Sequence, residues 1–485
     1  MEKRKRLAAL LCAVMMALTL LPVQAWAAGE GEAAFSFASV ALELDDSAAA
    51  LYDDAGDEAE FVPETDPYFD HVTVTRYGRT KLAQEQNSKA LLDVYDALVI
   101  CAVVTNLPQD YVVLENGVDK DTFVLAAQAF RADYPELFWA VPASMYLPDD
   151  PDHYIAVSLQ RWSDFAPDEN GSDAYLTNKK REFLANVESL LDGLPAGSDY
   201  DKELYLHDRL IERTEYDSDY EEQQSAFSVV MESRGVCAGY AFAFQYLLMR
   251  AGIESYYVVG TAGVDKAGKP VGHAWNIAKI SGVWYYVDPT WDDSDDEYAP
   301  YHAYFNLNTK LLTRDHALDP YPYNVTLPDC NELNWFYHQR GDGTMVSTTE
   351  TDLADTIFIL LQNIGIARVY VTDSDPTLMK TWFEQNHQKV AEAMGITGPY
   401  RYGIAWCGPE YVLSLEAVSD DLNGDDSVDI LDVQVLYAYL TTGVFSASDT
   451  SLDEDTFLKW ADINGDEHID VYDLQALYEI VCGIG

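Results

Sequence analysis

With 82 acidic side chains against 30 Lys or Arg, this 485-residue chain carries a formal charge of −52 and is long enough for about three domains. Such a surface repels nucleic acid and anionic lipid, and no basic patch with interleaved aromatics offsets it. It favours solubility and divalent cations.

Residues 1–28 open on Lys3, Arg4, Lys5 and Arg6, run apolar to Leu21 and end on Ala25-Trp26-Ala27, a small-residue cleavage site. That is the pattern of a secretory signal peptide, and no other stretch is apolar enough to cross a bilayer. A secreted protein without a membrane span is expected. Residues 29–65, rich in Ala, Asp and Glu, read as an acidic linker. Residues 66–200 read as an α/β N-terminal extension, with helices over Leu91–Val104 and Thr122–Tyr134 and a strand over Tyr154–Leu159. A further helix over Leu176–Leu191 is ended by Gly193 and Pro195, and Ser198 opens the next. Cys12 lies in the leader; Cys101, Cys237, Cys330, Cys407 and Cys482 remain, an odd number that leaves at least one free thiol. None has zinc-ligand spacing.

The chemistry lies in residues 201–325. Cys237 is followed by Tyr240, Phe244, Leu247, Leu248 and Ala251 at helical spacing, with Gly252 as the stop. Cys237 would then start a helix, where the dipole favours thiolate over thiol. Glu254–Gly260, His273–Ile280 and Val283–Asp288 read as strands, the last two joined at Ser281-Gly282. Counting outward from an Ile280–Val283 pair sets His273 opposite Thr290 and diagonal to Asp288, about 7–8 Å apart at the backbone. A cysteine, a histidine and an aspartate so placed can serve as nucleophile, base and orienting carboxylate. The Cys237 N–H is a candidate oxyanion donor and Gln224 a weaker one. Trp275 and Trp291 are expected to wall the cleft, while His207, His302 and His316 read as structural or exposed. Asp292, Asp293, Asp295 and Asp296 read as a solvated acidic turn rather than a cation loop.

Residues 345–417 alternate as helix (Leu353–Ile364), strand (Ala367–Thr372), helix, strand and strand, with Asp375 as N-cap and Gly395 as stop of the second helix. This small α/β domain shows no site chemistry.

Residues 418–485 hold a repeat. Asp421, Asn423, Asp425, Asp429 and Asp432 are answered by Asp462, Asn464, Asp466, Asp470 and Asp473. Hard oxygen ligands at loop positions 1, 3, 5, 9 and 12, with the position-seven carbonyl of Ser427 or His468, suit calcium, one ion per loop. Each loop leads into a helix with one apolar stripe (Val433, Leu436, Tyr437, Leu440 and Leu474, Leu477, Tyr478, Val481), so the copies are expected to pack together. Ordinary EF-hands carry Glu at position twelve and Gly at six; here twelve is Asp and six is Asp426 or Glu467.

Three blocks, Gly235-Val-Cys237-Ala-Gly-Tyr240, Gly272-His273-Ala-Trp-Asn276 and Trp284-Tyr-Tyr-Val-Asp288-Pro-Thr-Trp291, resemble the transglutaminase-like superfamily, and Asp133-Tyr-Pro-Glu-Leu-Phe-Trp139 resembles a segment that often precedes it in secreted bacterial members. The C-terminal repeat resembles a type I-like dockerin, with Ile430-Leu431 and Val471-Tyr472 at the positions that set partner choice. The fold implied is α+β: a papain/transglutaminase-like core, the α/β extension, the small α/β domain and an all-α calcium-binding dockerin. The resemblance implies a secreted cysteine peptidase, amidase or transglutaminase-like acyltransferase, hence a hydrolase or cross-linker of peptide or protein substrates needing no catalytic cofactor. Its partner would be a cohesin on a scaffoldin or cell-surface protein, in a cellulosome-like assembly. Superfamily members also occur as inactive binding modules, and a true cross-linking transglutaminase is the other alternative.

Overall fold

The computed structural model describes residues 40–43, 66, 68 and 76–483, apart from 105–109, 148–149, 169–170, 218–223, 295–299, 319–323, 341–343, 365, 397–399, 418, 426 and 467. The expected leader, most of the expected linker, and Asp295, Asp296, Asp426 and Glu467 lie outside the described residues. Among the described residues no helix is long and apolar enough to cross a membrane. The chain divides into two compact units between Tyr337 and His338.

The first unit opens on a four-stranded sheet of β1 (Val40–Glu43), β2 (Val112–Asp119), β3 (Ala140–Leu147) and β4 (Asp150–Arg161), ordered β1-β3-β4-β2, with β1 parallel to β3 and the rest antiparallel. Helices α1 (Tyr77–Leu82), α2 (Ser88–Val103) and α3 (Lys120–Asp133) accompany it. Asp133, at the end of α3, is buried and accepts from the Gly78 and Arg79 N–H groups and the Tyr95 hydroxyl. The acid of the Asp133–Trp139 block thus ties α1, α2 and α3 together, a structural task.

Helices α4 (Ala174–Leu191) and α5 (Asp199–Ile211) lead to the second layer. Ser198 starts α5 with a capping box, its hydroxyl accepting from the Asp201 N–H while the Asp201 carboxylate accepts from the Ser198 N–H. After α6 (Ala226–Glu232) comes α7 (Cys237–Arg250), buried from Cys237 to Met249. A helix apolar on all sides belongs inside, and α7 packs against α5, α6 and the second sheet. That sheet consists of β5 (Ser255–Val264), β6 (Pro270–Ile280), β7 (Val283–Val287) and β8 (His316–Leu318), antiparallel throughout and ordered β8-β5-β6-β7. The β6–β7 turn has both Ser281 and Gly282 at positive φ, the requirement of a two-residue hairpin turn. Gly260 of β5 is required by close approach: a Cβ there would lie 2.2 Å from the Ala317 carbonyl oxygen of β8 and 2.6 Å from the Trp275 ring.

In the second unit, β9 (Thr344–Val346), β10 (Ile366–Val371), β11 (Tyr400–Cys407) and β12 (Glu410–Ala417) form a sheet ordered β9-β10-β12-β11, accompanied by α8 (Leu353–Ile364) and α9 (Leu378–Ala393). Helix α9 starts after Thr377, later than expected, because the Asp375 carboxylate accepts from Thr377 in a turn that precedes the helix. Helices α10 (Ile430–Thr442), α11 (Glu454–Ala461) and α12 (Val471–Cys482) follow. Leu436 and Leu477, one from each repeat, share a core with Leu422, Phe457 and Ala461. The five described cysteines are all free thiols.

Candidate functional site

Cys237 is the first residue of α7, 5% exposed, behind an extended Val236. A two-residue parallel pairing of Glu215–Tyr216 with Arg234–Gly235 fixes the segment that delivers it. The first N–H groups of α7 have no acceptor within the helix and point towards the thiol's end.

His273 lies on β6 opposite Gly260. The β6–β7 register runs from Ile280–Val283 to Asn276–Val287, as the count from the turn requires. There β7 ends, and the Asp288 N–H donates to the Tyr304 carbonyl at 3.0 Å. His273 Nε2 and Asp288 Oδ2 are 2.6 Å apart, and Cys237 lies near enough to the same imidazole to help raise its pKa. With Nε2 engaged by the carboxylate, Nδ1 is the nitrogen left to face sulfur.

Asp288 is fully buried and has four partners. Oδ1 accepts from the Thr290 and Trp291 N–H groups at 3.0 and 3.3 Å; Oδ2 faces His273 and, at 3.1 Å, His316 Nε2. Burial alone would raise its pKa, but the His273 charge and the two imidazole hydrogen bonds hold the carboxyl well below the usual range. Burial works against the His273 cation too; the Asp288 carboxylate and Cys237 overcome it and push His273 up to about 10.

Trp275 stacks on His273 with ring centroids 5.8 Å apart. Expected as a cleft wall, it is instead fully buried, because Gly260 leaves room for it behind the imidazole. Trp291, half-buried, also lies 5.8 Å from His273. Gln224 is exposed, beside residues that are not described. His316 belongs with Asp288, which sequence reasoning missed; only the β8–β5 pairing, His316 opposite Ala262, carries it there.

The expected solvated turn is also different. Asp292 is fully buried, 3.2 Å from His207 Nε2, and accepts from the Tyr304 N–H, while Asp293 accepts from the Tyr240 hydroxyl at 2.6 Å. A turn that covers the end of α5 and the base of α7 cannot stay in water. His207 Nδ1 and His302 Nε2 both meet Asp208 Oδ1 at 2.9 Å, and all of His207, His302 and His316 are buried. Burial opposes the His207 cation, but Asp208 and Asp292 together push it up to about 9.

Among the described residues, three groups bring possible metal-ligating atoms within 4.8 Å of one another: His207, Asp208 and His302; His273, Asp288 and His316; and Asp462, Asp466 and Asp473. In the first two, attraction between imidazole and carboxylate accounts for the convergence. In the third, three carboxylates converge with the Arg401 guanidinium 3.7 Å from Asp462, and their hard oxygens suit a divalent cation. The two C-terminal loops share the following hydrogen bonds. Asp421 and Asp462 accept from the N–H groups three and four residues on, Asn423 and Asn464 from those two residues on, and fully buried Asp432 and Asp473 from the Asn423 and Asn464 N–H groups. Burial, with the Asp421 charge adding, pushes the Asp432 carboxyl up. Hard-oxygen calcium fits this donor set. Asp429 and Asp470 double as N-caps of α10 and α12, and Ser427 and His468 donate N–H to the position-five carboxylates. Strand β12 precedes the first loop and helix α11 the second. Ile430, Leu431, Val471 and Tyr472 are all exposed.

Residues 188–289 match the model of the transglutaminase-like superfamily core, and residues 419–480 match that of the type I dockerin domain. No curated protein matches the chain. Among solved structures, the chain is similar to a TGase (16% identity, 30% of this chain and 44% of the other, TM-score 0.22) and to a protein proposed to be a cysteine protease from Cytophaga hutchinsonii (22%, 28% and 51%, 0.19). A third is the periplasmic domain of TgpA from Pseudomonas aeruginosa (20%, 29% and 56%, 0.16). The chain spans about half the length of these structures. It therefore carries a transglutaminase-like core with mixed helices and strands, followed by a type I dockerin domain.

Proposed function

We propose that the chain is a secreted thiol-dependent acyl-transfer enzyme that hydrolyses peptide or isopeptide amides, held on a cohesin-bearing scaffold by its dockerin. The observation that carries the reading is one imidazole 2.6 Å from a buried carboxylate and in the electrostatic neighbourhood of a buried thiol at a helix start. Cys237 sulfur attacks the amide carbonyl, and the charge that develops on oxygen is met by the Cys237 N–H at the start of α7. His273 passes its Nδ1 proton to the leaving amine as the C–N bond breaks and a thioester remains. Water then gives its proton to His273, attacks the thioester and releases the acid, which restores the thiolate–imidazolium pair. Asp288 keeps Nε2–H pointed at itself and Nδ1 at the reacting atoms throughout.

Two structural calcium ions would be held by Asp421, Asn423, Asp425, Asp429, Asp432 and the Ser427 carbonyl, and by Asp462, Asn464, Asp466, Asp470, Asp473 and the His468 carbonyl. A calcium-dependent dockerin supports an extracellular or cell-surface location and a cohesin partner. The test is cleavage of a peptide-amide library in the presence of a labelled primary amine. Hydrolysis lost in Cys237→Ala, with no amine incorporated, is expected. Efficient amine incorporation would make the enzyme a cross-linker, and a wild-type protein as inert as Cys237→Ala would leave a binding module.

A further inference from the structure

We propose that His316 is a positioning residue of this site: as a second imidazole on Asp288, it shares the carboxylate with His273 and sets how readily His273 releases its proton. The inference rests on the acyl-transfer reading and concerns the regulation of the same site.

The geometry is asymmetric between the two imidazoles. His273 has Nε2 on Asp288 and leaves Nδ1 for Cys237, whose proximity helps raise its pKa. His316 has carboxylates at both ends: Nε2 lies 3.1 Å from Asp288 Oδ2 and Nδ1 2.6 Å from Asp315 Oδ1. A neutral imidazole keeps one bare lone pair, which would here face an anionic oxygen. The doubly protonated ring satisfies both contacts, so His316 is built to be a fixed cation; burial opposes the charge, and Asp288 and Asp315 nonetheless raise its pKa. The aromatic neighbours fit that assignment. Trp275 and Trp291 enclose the ring at 5.1 and 4.5 Å between centroids, and Tyr304 lies at 5.4 Å with its hydroxyl on Asp315. No other basic side chain is recorded in contact with Asp288 among the described residues. Besides Asp288 and His316, the titratable groups that face the reactive pair are Tyr216 and Tyr257, both within electrostatic reach of Cys237.

The consequence follows from charge. A dedicated buried carboxylate would hold the His273 proton so firmly that its transfer to a leaving amine would be slow. A second cation 5.5 Å away between ring centroids, on the same carboxylate oxygen, weakens that hold. Like charges at that separation shift a titration by about one to two units at the effective dielectric of a protein. His316 therefore keeps His273 an effective acid while Asp288 keeps it oriented.

The experiment is a titration of the His273 ring followed by imidazole 15N shifts in the full chain, for the wild type, His316→Gln and Asp315→Asn, with thermal unfolding as the folding control. In His316→Gln the His273 midpoint should rise by about one unit or more, because one like charge is gone. Asp315 is partly exposed, so Asp315→Asn should fold even if His316→Gln does not; it withdraws the anion at Nδ1, weakens the His316 charge and should raise the His273 midpoint by less. An unchanged or lowered His273 midpoint in a folded variant overturns the proposal. The readout does not depend on turnover. A shifted midpoint in a protein that cleaves no amide would sink the acyl-transfer reading and spare this one; an active enzyme with an unshifted midpoint would do the reverse.

Discussion

Burial would protonate an ordinary carboxylate where Asp288 sits, and four donors on its two oxygens keep it ionised. The pH dependence of stability follows. The Asp288 pKa is depressed in the fold, so its contribution is present above the unfolded carboxylate value near 3.9 and is lost as the pH falls towards the folded one. His273 is raised, so its contribution is complete below the unfolded value near 6.5 and is lost as the pH rises through about 10. Thermal unfolding of the first unit should therefore be most favourable to the fold between about pH 4 and 6.5, falling on both sides, and Asp288→Asn should flatten the curve. The same variant should lower kcat by roughly 10³- to 10⁴-fold, by analogy with loss of the orienting aspartate in serine proteases. Cys237, His273 and Asp288 were legible because each stands in a short block whose local structure can be read. His316 was not, because only a strand pairing across the sheet brings it to Asp288.

At the level of elements, the hairpin was the most readable feature: the Ser281-Gly282 turn fixes a register, and the register carries His273 to Asp288. The acidic turn after Asp288 was misread because charge alone cannot announce burial; the partner, His207, comes from α5, far away in sequence. That turn is held on both sides. Asp292 meets His207 at 3.2 Å, and Asn306, at positive φ, donates to Glu203 Oε2 at 2.7 Å, which brackets the Tyr304 carbonyl that receives the Asp288 N–H. Asp292→Asn should cost about 3–5 kcal/mol in denaturant unfolding, since it leaves a buried imidazolium without one of its anions. Gly260→Ala should cost about 1–3 kcal/mol or more, because a methyl at that point overlaps the β8 backbone and the Trp275 ring. Its second effect should be to loosen β8 and with it His316, readable as faster amide exchange along 316–318.

The whole chain joins a transglutaminase-like core to a type I dockerin domain, and the two were legible for different reasons. The C-terminal repeat declares itself by ligand spacing, since calcium demands oxygens at set intervals; the N-terminal extension and residues 345–417 carry packing patterns and no chemistry, so their roles could not be read. Chelation should remove the protection of residues 419–480 from exchange while leaving the core's transition in place, and restoring calcium at 100-fold its dissociation constant should return about 2.7 kcal/mol per site. Retained cohesin binding in excess chelator would contradict the assignment of the loops. The most direct test of the central claim is the alkylation rate of Cys237 against pH, read by peptide mass spectrometry beside His273→Ala. Fast labelling at about pH 6 that disappears in the variant is the result expected of a thiolate held by the His273 imidazolium. Labelling that rises only above about pH 8, the same in both proteins, would contradict it.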